Sequence, residues 1–349
     1  MAEKTAHRIV VAGGGIAAIE FVLALRALVG DHAAISLISP NPDLVLRPSL
    51  VAAPLGLLAR QSYPLADLAS DIGFTHVPAT VSSVDPERRR VVVRGGDAIA
   101  YDTLVLALGA RTLPVFDDAI HLGDAEGARG LESLHQEVGR GGAVRTVAFV
   151  VPSRAGWMLP LYEAALLIAN GPATVSVSLH TPEDRPLEHF GPAASALVAE
   201  ALLGAGIGFH GGGRPFDPES ADFVVSVPLV RGPQMDGVPA TGLYGLIPVD
   251  DHGHVFGLPG AYAIGDATDY PVKQAAIACQ QADAAAESVA TRCGLDILPA
   301  PFRPELRATL LTGTGAPLLL NGGQGPAKLP GRHLGPYLAR RAGTPAQLT

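Results

Sequence analysis

Residues 13–15 are three successive glycines, and with Ile16, Ala17 and Ala18 they form the run Gly-Gly-Gly-Ile-Ala-Ala. A β-branched stretch ending at Val10 to Ala12 precedes the run, and the helically spaced apolar residues Ile19 to Val29 follow it. Strand, glycine turn and helix in that order suit a dinucleotide. Gly13 permits the tight turn, Gly15 lets the main chain approach a pyrophosphate, and Ala18 is small enough to pack the helix on the strand. The helix N-terminus adds free N–H groups and the positive end of a dipole. A second strand, in "AAISLISPN", ends at Ser39, near where a ribose-binding acid is expected. The serine hydroxyl accepts more weakly than a carboxylate would.

Two later stretches suit the same ligand. "YDTLVLALGA", Tyr101 to Ala110, is a β-run closing on Leu108-Gly109-Ala110, a small-residue turn beside which main chain passes a ligand. "GLPGAYAIGDATDYPVKQAAIACQQADAAAESVA" contains an apolar strand ending at Gly265-Asp266 and then a helix expected to start at Pro271. Asp266 is placed to accept hydrogen bonds from sugar hydroxyls.

The order of the three motifs resembles the two-dinucleotide-binding-domain, FAD-dependent pyridine nucleotide-disulfide oxidoreductase superfamily, and the resemblance covers most of the chain. It implies an α/β fold of two Rossmann-like, doubly wound domains, the second inserted in the first, plus a short C-terminal segment. The implied boundaries are 1–112 and 245–300 for a discontinuous FAD-binding domain, 113–244 for the insert and 301–349 for the C-terminal segment. FAD is the implied cofactor, held non-covalently. Its implied contacts are Gly13, Gly15, Ile16, Ala17, Ala18, Ser39, Pro40, Arg47, Val81, Ala107, Leu108, Gly109, Gly265, Asp266, Lys273 and Gln274. In that fold the helix start at about Val272 to Gln274 points at the pyrimidine edge of the flavin, where a positive dipole and Lys273 favour negative charge.

The insert repeats the pattern of the first unit. Strand "RTVAFVVP", helix "LPLYEAALLIAN", strand "ATVSVSLHTP" and a helix from Pro192 to Gly206 follow one another, but the turn is Pro152-Ser153-Arg154-Ala155-Gly156-Trp157. A single glycine remains, and the Trp157 indole obstructs the close approach a pyrophosphate needs. The residues "PLYE", with "LISPNPDLVLRPSL" and "VKQAAIACQQADAAAE", resemble the branch of sulfide:quinone reductases and flavocytochrome c sulfide dehydrogenase flavoproteins. That branch keeps the insert without using it for nicotinamide, so the insert is read as a scaffold. An unusual NAD(P)H pose through Ser153, Arg154 and helix N–H groups stays open.

The branch carries sulfur to the flavin on cysteines, and here the chain departs from it. Its only cysteines are Cys279 and Cys293, so thiol-pair chemistry is excluded, and Cys279, two turns inside a helix, is read as a packing residue. Lys273, Glu163 and Arg47 remain as catalytic candidates, with Pro48 and Gln274 beside them; for Glu163 the favoured role is to pin local backbone. His252 and His254 flank Gly253 in an expected hairpin turn and are read as solvated histidines rather than metal ligands.

With 349 residues the chain suits two domains, and 48% hydrophobic against 17% charged residues marks it as globular. A net charge of -8 without a basic tract excludes nucleic acid. Glu20 and Arg26 interrupt the first apolar run and no cleavage site closes it, so a cytoplasmic protein is expected; no segment has the ~18 apolar residues of a membrane span. The basic tail "KLPGRHLGPYLARRAG" reads as a capping segment or a subunit contact, which leaves a homo-oligomer open. The leading expectation is an FAD-dependent oxidoreductase moving two electrons between a small-molecule or protein donor and acceptor. The alternatives are an NAD(P)H dehydrogenase similar to type II NADH dehydrogenases, and a non-catalytic flavin-binding regulatory protein.

Overall fold

The computed structural model describes residues 6–47, 49–141, 144–171, 175–322 and 329–342. The first strand, His7–Ala12, buries Ile9, Val10, Val11 and Ala12 on both of its faces, as the centre of a parallel sheet requires. Ala33–Ile38 pairs with it on one side and Thr103–Leu106 on the other, both in parallel. Thr75–Val77 extends one edge, and Ala261–Ala263, from far along the chain, extends the other. A second five-stranded parallel sheet has the order 120–121, 223–226, 146–150, 176–180, 208–210. The chain leaves the first sheet and returns through one antiparallel pair, Arg111–Leu113 against Leu229–Arg231. The fold is thus α/β with two doubly wound units, the second interrupting the first.

Helices Ile16–Val29 and Ala275–Arg292 pack on each other and on one face of the first sheet. Buried alanines at 17, 18, 282, 285 and 286 permit that close approach. The antiparallel strands Val81–Asp85, Arg90–Val93 and Ala98–Ala100 cover the other face. In the insert, helices Ala125–Gly139, Leu159–Ala169 and Pro192–Gly204 surround a core that includes Phe149, Tyr162 and Leu166. The residues after 300 divide between the two cores. The hairpin Ala308–Leu310 with Leu318–Leu320 joins the insert through Leu310 and Leu320, while helix Leu334–Arg341 joins the first unit through Leu334 and Leu338. Among the described residues no helix is long and apolar enough to cross a membrane.

Two helix boundaries differ from the sequence expectation. The helix from Pro192 ends at Gly204, before Gly206 turns left-handed at φ +69°. The helix expected at Pro271 starts only at Ala275, with Gln274 extended in front of it. The cause is tertiary: the Lys273 amide donates to the Gly156 carbonyl at 2.9 Å, and its ammonium folds back on the Thr268 and Tyr270 carbonyls at 2.6 Å each. These bonds hold Lys273 ahead of the helix, with Gln274 extended as its N-cap.

Candidate functional site

The three motifs meet at the start of helix Ile16–Val29. Gly13 has φ +119°, and a Cβ there would collide with the Ala107 carbonyl, so the glycine turn lies directly on the exit of strand Thr103–Leu106. Gly265, at φ +74°, comes to the same place from the other side, where a Cβ would sit 3.1 Å from the Ala17 methyl. Gly15 is different: nothing lies within 4 Å of its Cβ position, and its φ of -85° suits any residue. The helix that follows has no acidic residue in its first turn and no side-chain cap. Its first N–H groups therefore have no side-chain cap, and Gly15 leaves room beside them, an arrangement that fits a phosphate. Gly109, at φ +66°, also borders open space.

Around this point the other expected contacts take varied positions. Arg47 Nη1 lies 3.7 Å from Asp266 Oδ2, which brings the loop after the second strand to the Gly-Asp strand. Pro48 lies outside the described residues. Pro40 is exposed, Ile16 and Leu108 are half-buried, and Ala18 and Val81 are buried. Ser39 is 2% exposed; its hydroxyl accepts the Asn41 N–H at 3.2 Å and underlies Gly14, so it closes a local turn. Burial lowers Lys273 to about 8, against the raising effect of Asp266 and Asp269. Gln274 Nε2 donates to the Arg307 carbonyl at 2.7 Å. Gln281 went unnoticed in the sequence, yet its Oε1 accepts the Gly265 N–H at 2.8 Å and holds the Gly-Asp turn in place. A buried glutamine within an alanine-rich helix was its only signal. Glu163, 1% exposed, accepts the Leu311 N–H at 3.0 Å and so holds backbone of the C-terminal hairpin, 148 residues away, rather than the local backbone expected from the sequence.

The insert's turn is built on a different plan. Three residues, 13–15, separate strand and helix in the first unit, whereas eight, 151–158, separate Thr146–Val150 from Leu159–Ala169. The similarity of the two units in sequence conceals this. Arg154 is left-handed at φ +70°, and Trp157 packs on Phe190 with ring centroids 5.9 Å apart. At the end of the insert's second strand, where an acid can hold a ribose, stands Glu183, another residue the sequence did not single out. It is 3% exposed and accepts from the Tyr162 hydroxyl at 2.8 Å and the Glu188 N–H at 3.1 Å.

His252 and His254 stand on either side of a left-handed Gly253, between the bridged residues Val249 and Val255. His254 Nδ1 lies 2.9 Å from Asp250 Oδ2 and its ring 4.6 Å from that of Tyr262, while His252 Nδ1 is buried, so neither is the freely solvated histidine the sequence suggested. Cys279 is 1% exposed, and burial, with Glu20 and Asp283 nearby, pushes its thiol up. Burial raises Cys293 as well, against Arg292.

No family model matches the chain. Over 108 residues it is 32% identical to a sulfide-quinone reductase of Aquifex aeolicus, a match covering 30% of this chain and 25% of that protein. Over 229 residues it is 28% identical to an NADH dehydrogenase-like protein of Mycobacterium tuberculosis, covering 58% of this chain and 57% of that protein. The chain thus spans about a quarter and somewhat over half of the length of these two relatives. Among solved structures, the sulfide:quinone oxidoreductase of Aquifex aeolicus superposes with a TM-score of 0.78 at 22% identity, over 88% of this chain and 82% of that one. At that identity the likeness is one of fold, and it is the two-domain oxidoreductase fold that the order of motifs implied.

Proposed function

We propose that this chain, folded as a two-dinucleotide-binding-domain oxidoreductase, is a flavoprotein that holds FAD non-covalently and passes two electrons between a donor and an acceptor. One observation carries the proposal: the glycine turn, the Leu-Gly-Ala strand and the Gly-Asp strand converge on the open space beside Gly15. The discontinuous FAD domain comprises 1–112 and about 232–300 rather than resuming at 245, because Met235 and Val238 pack on its core and the Val84 N–H donates to the Asp236 carbonyl at 2.9 Å. The insert is then 113–231, and the residues after 300 brace both. The N–H groups at Ile16 and Ala17 bind the pyrophosphate, and Asp266, steadied by Arg47, accepts from sugar hydroxyls. Bound FAD supplies the two-electron redox chemistry. Lys273 keeps a positive charge at neutral pH next to Asp266 and Asp269, which favours negative charge on a nearby acceptor ring. Gln274 and Gln281 hold the backbone around it.

The insert serves as scaffold rather than nicotinamide site. The lengthened turn, the Trp157–Phe190 contact and the engagement of Glu183 all support that reading. A thiol relay has no support either, since Cys279 is buried among helices. The relative named NADH dehydrogenase-like favours the competing activity, and one experiment separates the two. The purified protein is examined for a flavin spectrum and then mixed anaerobically with NADH. The expected result is a flavin spectrum that NADH leaves unchanged. Rapid, saturable bleaching would make this a nicotinamide-dependent reductase, and a protein that cannot be loaded with FAD would remove the flavin reading altogether.

A further inference from the structure

The C-terminal helix is held by a carboxylate from the opposite end of the chain. Glu20 lies one turn past Ile16 on the nucleotide-turn helix and is 0% exposed. Its Oε1 accepts the His333 N–H at 2.8 Å and its Oε2 the Leu334 N–H at 2.6 Å, with the Arg332 amide also directed at it. Gly331, left-handed at φ +87°, makes room for this, because a Cβ there would collide with the Glu20 carboxylate. From helix Ala275–Arg292, Asp283 brings its own carboxyl within hydrogen-bonding reach of Glu20. Its Oδ1 is buried without a hydrogen-bond partner, and His333 Nε2 stands 3.8 Å away. The other titratable and charged groups facing the pair are Cys279 and Glu287 on the Asp283 helix, and Arg332 on the C-terminal segment.

Two carboxyls in contact form a hydrogen bond when they share one proton and repel when they hold none. We propose that residues 329–342 form a proton-operated strap: a proton shared by Glu20 and Asp283 accompanies docking across the nucleotide-turn helix, and its loss favours release. The proposal does not depend on the identity of the cofactor. Burial and the Glu20 charge push Asp283 up to about 8, and burial raises Glu20 too. Release admits water to both carboxyls and so removes the burial that raises them, and it does this against the strap's three N–H groups and Arg332, which favour the charged pair; the docked form thereby keeps a proton that the released form gives up. Docking is strongest below the ordinary carboxylate range, weakens as the pH rises through about 8, and is level above that. Release uncovers Glu20, one turn past the helix start that borders the candidate cofactor site.

Hydrogen–deuterium exchange of the intact chain, corrected for the intrinsic pH dependence of exchange, tests this on peptides covering 329–342. For one net proton the opening equilibrium should rise about tenfold per pH unit between roughly pH 5.5 and 7.5, while the strand His7–Ala12 keeps its protection. In Asp283→Asn the side-chain amide donates to Glu20 at every pH, so the profile should flatten; His333→Ala should keep the slope. A flat wild-type profile, or a slope that survives Asp283→Asn, overturns the proposal. Should Asp283→Asn fail to fold, the infrared absorption of a protonated carboxyl in the unaltered protein carries the test. It should be present at about pH 6 and lost by about pH 9, and its absence at about pH 6 overturns the proposal.

Discussion

Gly13 and Gly15 stand two positions apart in one motif, yet their lack of a side chain serves different ends. Gly13→Ala forces a Cβ into the Ala107 carbonyl at a left-handed φ, and should cost about 3 kcal/mol in denaturant unfolding. Gly15→Ala meets nothing and has ordinary backbone, so stability should stay within about 0.5 kcal/mol of the parent. It should nevertheless weaken FAD binding to the apoprotein at least about tenfold by fluorescence titration, because the methyl occupies the phosphate's approach; unchanged affinity would place the pyrophosphate elsewhere. Lys273 makes a pH prediction. Its pKa falls from 10.5 to about 8 through burial, so its contribution to stability is most favourable above pH 10.5 and is lost as the pH falls through about 8. Lys273→Met should remove that alkaline rise from the unfolding free energy measured against pH.

The two strand-turn-helix units show how far local pattern reaches. Alternation and helical spacing marked both strands and both helices, because burial on one or two faces imposes those periods on the sequence. They did not mark the start of helix Ala275–Arg292, which is delayed by bonds from Lys273 to Gly156, Thr268 and Tyr270. Nor did they show that the insert's turn is longer, since a turn has no period. Trp157→Gly should therefore not create an NADH reductase. The helix would still begin at Leu159 and Glu183 would still be held by Tyr162, so stopped-flow mixing with NADH should show no gain in flavin bleaching over the parent. A clear gain would mean that the indole alone closes the insert.

At the level of the complete chain, the segment after residue 300 is a pair of braces rather than one appendage. Its hairpin is fastened to the insert by Glu163, and its helix to the first unit by Glu20. At the far end of that helix the Tyr337 hydroxyl donates to Asp71 at 2.5 Å, and Arg341 reaches the same carboxylate at 3.0 Å. Deleting residues 329–349 should expose the surface under Leu334, Tyr337 and Leu338 and lower stability by about 3 kcal/mol or more in denaturant unfolding. An unchanged midpoint would show that the strap bears no part of the fold's stability.

Motif order, the α/β class and the nesting of one unit in the other were legible along the chain, because each rests on neighbouring residues whose types obey a short-range rule. The candidate site was legible to the same depth: Gly13, Gly109, Gly265 and Asp266 announced themselves by turn chemistry. Gln281 and Glu183 did not, because a polar residue within an apolar run does not reveal which backbone it satisfies. Glu20 is the clearest case. In sequence it was only a charge that broke an apolar stretch, and 313 residues separate it from the His333 amide that gives it a purpose. Burial of a carboxylate requires partners, and only folding brought partners from helix Ala275–Arg292 and from the C-terminal strap to one place.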